Sequence, residues 1–188
     1  MEFRDVLQSR CSVREYQDTP VEFQIVQSLI DAAILAPSAV NSQPWEFWVV
    51  LGRQRIDDLS ERAKVWLVEK VAHNPTAEAG YQRQFLATPG LSLLYHAPAL
   101  VLVAAKSFEK QANEDCCLAA FSLMLSARDS GIGTCWIGLT RPWFNLAATK
   151  SELGIPETAS VVAPLVLGYP KEWPETHGRN PAKIHWVR

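Results

Sequence analysis

Apolar residues recur along this chain in two rhythms, one of three to four positions and one of short unbroken runs. The first marks amphipathic helices and the second buried strands. A short helix is expected near residues 3–8. Residues 10–16 have no helical stripe and read as extended. Thr19-Pro20-Val21-Glu22 reads as a helix start, with Thr19 as cap, Pro20 in the first helical position and Glu22 completing a capping box. Val21, Ile25, Leu29 and Ile34, with Val26, Ile30 and Ala33 beside them, form its expected buried face, and Pro37 stops it. A strand over 46–51 precedes a long amphipathic helix over 53–72, with Ile56, Leu59, Ala63, Trp66 and Leu67 inward.

Residues 73–95 have weak periodicity broken by Pro75, Gly80, Pro89 and Gly90, as in a lid or excursion. A second strand is expected over 99–104. Asn113-Glu114-Asp115 offers a cap and an acidic first turn to a nearly all-apolar helix that runs to about Ser130. Further strands are expected over 134–139, 161–167 and 182–187, with Pro164 pointing to an edge or a bulge. A short helix over 146–153 should end at Gly154. Helices and strands mix without regular βαβ alternation, which makes the fold class α+β.

Composition narrows the function. The 188 residues fit one domain over 1–188 with its excursion at about 73–95, and 48% hydrophobic against 20% charged residues suits a soluble core. A net charge of −2 lacks the basic surplus of a nucleic-acid binder. The opening residues carry acids and lack a signal-peptide core. The longest apolar run, 97–105, is too short to span a bilayer. A cytoplasmic protein with no membrane partner is expected. Cys11, Cys116, Cys117 and Cys135 match no zinc or CxxC spacing, and reduced thiols are the default there. His73, His96, His177 and His185 are scattered, so no metal site is expected. Gly131-Ile132-Gly133 follows a helix and has Trp136 where a third glycine belongs, which excludes a dinucleotide fingerprint.

Two stretches could carry chemistry. Arg10, Ser12 and Arg14 are spaced by two, so an extended chain points all three to one face. Two guanidiniums and a hydroxyl suit a monophosphate, although an arm with two solvated arginines fits the same residues. The loop from Ala36 to Trp45 has two prolines fixing its course, and Asn41 and Gln43 can each donate and accept, as recognition of a heteroaromatic edge requires. An ordinary polar turn fits it equally.

Taken in order, Arg-x-Ser-x-Arg-x-aromatic, Ala-Pro-Ser-x-x-Asn-x-Gln-Pro-Trp-x-Phe, Glu114-Asp115 with its helix and Gly131 to Gly138, and Gly168-Tyr169-Pro170 with Arg179-x-Pro181 and Ile184-His185-Trp186 resemble the flavin-dependent nitroreductase family. The match leaves out about residues 53–95. The resemblance implies a nitroreductase-like α+β fold, with a central, mainly antiparallel sheet flanked by helices in an intertwined homodimer. It also implies FMN as cofactor, lying between subunits. Hydride would come from NADH or NADPH and pass, in a two-stage ping-pong cycle, to a small-molecule acceptor such as a nitroaromatic or quinone. Carried over by position, Arg10, Ser12, Arg14 and Arg179 would hold the phosphate and ribityl end. Pro37, Ser38 and Asn41 would approach from the other subunit, and Ile137, Gly138 and Leu139 would bring backbone groups to the isoalloxazine ring. Arg14 is the candidate for stabilising negative charge near N1 and O2, and no side chain is required as nucleophile or base. His177 stands where the family often has lysine, which makes a phosphate contact there pH-dependent. Tyr16 stands for the commoner Phe. Reductive dehalogenation on the same scaffold and a non-catalytic redox sensor using Cys116 or Cys117 are the alternatives.

Overall fold

The computed structural model describes residues 1–72 and 74–187, so His73, the first residue of the expected excursion, lies outside it. Strands β1 (Trp45–Leu51), β2 (Ala99–Ala105), β3 (Gly133–Trp136) and β4 (Ser160–Gly168) form one antiparallel sheet in the order β1-β2-β4-β3. Helices cover both faces. They are α1 (Phe3–Ser9), α2 (Phe23–Ala33), α3 (Arg53–Ala72), α4 (Ala77–Leu86), α5 (Lys110–Asp129), α6 (Arg141–Phe144) and α7 (Ala147–Leu153).

Strand alternation sorts the core into two layers. Leu100, Leu102 and Ala104 of β2 join Ile56, Leu59, Ala63 and Leu67 of α3 and Leu86 of α4. Ala99, Val101, Val103 and Ala105 join Val26 and Leu29 of α2 and Cys116, Ala119, Ala120 and Leu123 of α5. β2 is therefore buried along its whole length.

The structure corrects several expectations. α2 begins at Phe23 with Glu22 as N-cap, and no side chain caps it. Val21 and Val26, the N′ and N4 positions of a hydrophobic staple, are both buried in the same core layer. Thr19 and Pro20 therefore stay outside the helix, and Ile34 is exposed. α5 starts three residues before Asn113, which lies inside it. The excursion contains α4, capped by the Thr76 hydroxyl accepting from the Ala79 N–H at 3.2 Å.

Pro164 sits on a central strand, so the edge reading fails. Its missing N–H would have served Ile137, whose carbonyl instead accepts from the Thr140 N–H (3.2 Å) and hydroxyl (3.0 Å) as β3 gives way to a 3-10 turn, Gly138–Thr140. The bulge falls nearby, where the register shifts between Val103 and Ala104 and leaves Val162 unpaired. No strand forms over 182–187. Residues 171–187 are exposed and have no sheet neighbour within this chain.

Candidate functional site

The segment from Arg10 to Tyr16 is extended, as its lack of a helical stripe predicts, and is laid against the end of β3. Ser12 pairs in parallel with Thr134, and the Val13 N–H donates to the Thr134 carbonyl at 3.0 Å. Alternation puts Val13 in the core at 0% exposure and turns Arg10, Ser12 and Arg14 together into an open cleft of about 750 Å³. Gly133 makes the close approach possible, since a Cβ there would lie 2.7 Å from Val13 Cγ2. The hydroxyl of Tyr16 donates to the Val13 carbonyl at 2.7 Å, a tie that a phenylalanine could not make. Burial pushes that phenol well above the ordinary tyrosine range.

The far wall is the chain after β4. The Gln17 N–H donates to Tyr169 (2.8 Å), Tyr16 pairs with Pro170, and the Lys171 N–H donates to the Glu15 carbonyl (3.0 Å). Gly168 allows this crossing, because a Cβ would meet Tyr16 Cδ1 at 2.6 Å. The wall brings Lys171, His177 and Arg179 to the cleft. Arg179 Nη1 donates to the carbonyls of His177 (2.6 Å) and Gly178 (3.3 Å), which folds it onto its own arm. Arg10, Arg14, Lys171 and Arg179 outnumber Glu15, Glu172 and Glu175, so the cleft is cationic with carboxylates at its side. Lys171 and the three acids escaped the sequence reading. Lys171 follows the Gly168-Tyr169-Pro170 block directly and was the one legible addition.

Arg14 also lines a second cavity of about 190 Å³ with Tyr95, Cys135, Ile137, Gly138 and Leu139, closed on one side by Phe85 of α4. Ile137 spends its N–H on the Pro164 carbonyl at 2.8 Å. The amides of Gly138 and Leu139 open the 3-10 turn, where N–H groups have no intrahelical acceptor, and they are the donors left for a ligand. Gly138 and Leu139 border a third cavity of about 170 Å³ that includes Lys70, Asn74 and Gln82.

Pro37, Ser38 and Asn41 are absent from these walls. They belong to a strained loop with positive φ at Val40 (49°), Asn41 (56°) and Gln43 (44°). Its internal bonds run from the Gln43 N–H to Ser38 Oγ (3.0 Å) and from Gln43 Nε2 to Asn41 Oδ1 (3.1 Å). Asp115 of α5, 3% exposed, accepts the Ala39 N–H at 3.2 Å and Gln111 Nε2 at 3.1 Å. Asp115→Ala orphans that N–H and should cost about 1–3 kcal/mol in a denaturant titration. An unchanged midpoint would show that the tether carries no weight.

The vicinal cysteines are poor nucleophiles here. Burial, then the neighbouring Cys117 and Asp115, pushes the Cys116 thiol up to about 12, and thiolate is the reactive form. Cys116 should resist iodoacetamide in the folded protein at neutral pH and react once the chain is unfolded; labelling of folded protein would contradict its burial. Among the described residues no group of three or more His, Cys, Asp or Glu converges as a metal site, and no helix is long and apolar enough to cross a membrane.

Comparison with known proteins places this geometry. The nitroreductase family model matches residues 7–169. A protein of Archaeoglobus fulgidus, provisionally named NADH dehydrogenase/NAD(P)H nitroreductase, is 31% identical over 188 residues, covering 96% of this chain and 94% of its own. An FMN-bound nitroreductase of Bacteroides fragilis superimposes with a TM-score of 0.84 at 24% identity, covering 100% of both chains. An iodotyrosine deiodinase bound to FMN and 3-iodo-L-tyrosine gives 0.82 at 20% identity, covering 99% of both. With the family model matched over residues 7–169 and a relative 31% identical over nearly the whole chain, the chain belongs to the nitroreductase family.

Proposed function

We propose that this protein is an FMN-dependent oxidoreductase that takes hydride from NADH or NADPH and reduces a nitroaromatic, a quinone or a related small acceptor in a two-stage cycle. The observation that carries this reading is the junction at Arg14, where a cationic cleft meets a cavity lined mostly by apolar and aromatic residues. The first offers cations to a phosphate, and the second offers mostly apolar side chains to a flat ring. The cleft's volume lies within the usual range for cofactor sites. Arg10, Ser12, Arg14 and Arg179, with Lys171 added and His177 beside them, would hold the phosphate and ribityl end, and Gly138 and Leu139 would offer amides to the ring. When bound, FMN supplies the electron transfer, and the protein binds, orients and tunes it. Arg14 places positive charge where negative charge develops on reduction.

A second copy completes the site in this reading. Val40 is 98% exposed at the tip of the strained loop, and Trp186 is 83% exposed on the unpaired arm. Leu118, Phe121 and Leu125 form a stripe along the outer face of α5 that this chain leaves uncovered or half-covered. A homodimer would cover these surfaces and bring Pro37, Ser38 and Asn41 to the partner's flavin. A monomeric mass in solution contradicts that arrangement.

Anaerobic stopped-flow mixing with each nucleotide tests the activity. Bleaching of bound flavin by NADH or NADPH, followed by reoxidation by a nitroaromatic or quinone, is the expected result. Failure to bleach with either nucleotide refutes the reductase and favours a non-catalytic flavin protein. Turnover of a halogenated phenol alone would point instead to reductive dehalogenation, with α4 as the lid.

A further inference from the structure

Tyr95 and His96, two consecutive residues that are not glycine, hold left-handed backbone, with φ of 54° and 51°. Such strain persists where the surroundings over-determine it, and α3 supplies the constraint. Ser60 Oγ accepts the Leu94 N–H at 3.2 Å and lies 3.1 Å from Ser92 Oγ, which in turn accepts the His96 N–H at 3.3 Å. His96 Nδ1 lies 2.8 Å from the Asp57 carboxylate on the same helix. The outcome of this clamped turn is the placement of one side chain. Tyr95 borders the second cavity, and Arg14 Cζ lies 5.9 Å from its ring centroid. Arg14 has two places to go, since it lines both the cleft and the cavity. A ring face attracts a cation at this range, while the cleft sets Arg10, Lys171 and Arg179 against Glu15, Glu172 and Glu175 and so offers no comparable net pull.

We propose that Tyr95 is a positioning residue that commits the Arg14 guanidinium to the ring-bearing end of the flavin, leaving the phosphate to Arg10 and the arm. The proposal rests on the FMN reading above and narrows it, moving Arg14 from the shared phosphate and ribityl clamp to the ring end of that site.

The test titrates apoprotein with FMN and with riboflavin, which lacks the phosphate, following flavin fluorescence. Tyr95→Leu should weaken both ligands by the same factor, about three- to tenfold, and Tyr95→Phe should stay within about twofold of wild type. In an Arg14→Ala background, Tyr95→Leu should add less than about twofold, because the residue acts through Arg14. Tyr95→Asn, which tolerates left-handed backbone, should repeat the loss while the apoprotein keeps its melting temperature, and so separates positioning from folding. A penalty confined to FMN overturns the proposal, because Arg14 would then serve the phosphate. Equal penalties with and without Arg14, or none at all, overturn it too. A wild-type apoprotein that binds neither ligand refutes the FMN reading itself and the proposal with it, a result distinct from normal wild-type binding with an unaffected variant.

Discussion

Arg14→Ala should lower FMN affinity about 10- to 100-fold, since a charge-assisted hydrogen bond contributes roughly 1.5–3 kcal/mol and each 1.4 kcal/mol is a factor of ten. Among the described residues, Arg14 is the one guanidinium that borders both cavities. Its loss should therefore slow flavin reduction by nicotinamide as well as loosen the cofactor, even when FMN is supplied in excess. Arg10→Ala, which touches only the cleft, should cost affinity while leaving the reduction rate of the FMN-saturated enzyme nearly unchanged. Full flavin content and normal reduction in Arg14→Ala would remove the residue from the mechanism.

Gly133→Ala should damage fold and site together by adding a single methyl. The added Cβ would lie 2.7, 2.8 and 2.9 Å from three carbons of Val13. Val13 has nowhere to move, being fully buried and tied through its N–H to Thr134. Overpacking of this kind costs about 1–3 kcal/mol. Here it would also push the strand that carries Arg10, Ser12 and Arg14 off its neighbour, so stability and FMN binding should fall together. Gly138→Ala is the control. A Cβ there meets nothing within 4 Å, so thermal stability should hold. A Gly133→Ala protein that melts like wild type would show that the strand has slack.

The residue pattern made some of this legible and hid the rest for identifiable reasons. The helix expected over 53–72 forms as Arg53–Ala72, because its apolar spacing is unambiguous and Gly52, at φ 100°, precedes it. The spacing of Arg10, Ser12 and Arg14 anticipated a shared face, and the alternation with buried Val13 follows from the same rule. Thr19 and Pro20 mimic a helix start in local chemistry, yet the Val21–Val26 staple overrides them through tertiary packing. α4 was missed because Gly80 and the flanking prolines dilute its period. Tyr95 could not be read from the sequence at all. Its role depends on a left-handed turn that Ser60, Ser92 and Asp57 hold from elsewhere in the chain. The segment over 182–187 looks like a strand by composition, but this chain gives it no neighbour to pair with.

The central claim is that the cleft and cavity joined at Arg14 hold FMN, and the visible absorption spectrum of the purified protein tests it most directly. The account predicts a yellow protein with the two absorption bands of oxidised flavin, releasing one FMN per chain on denaturation. A protein that is colourless as purified, and remains so after incubation with FMN and gel filtration, would contradict it.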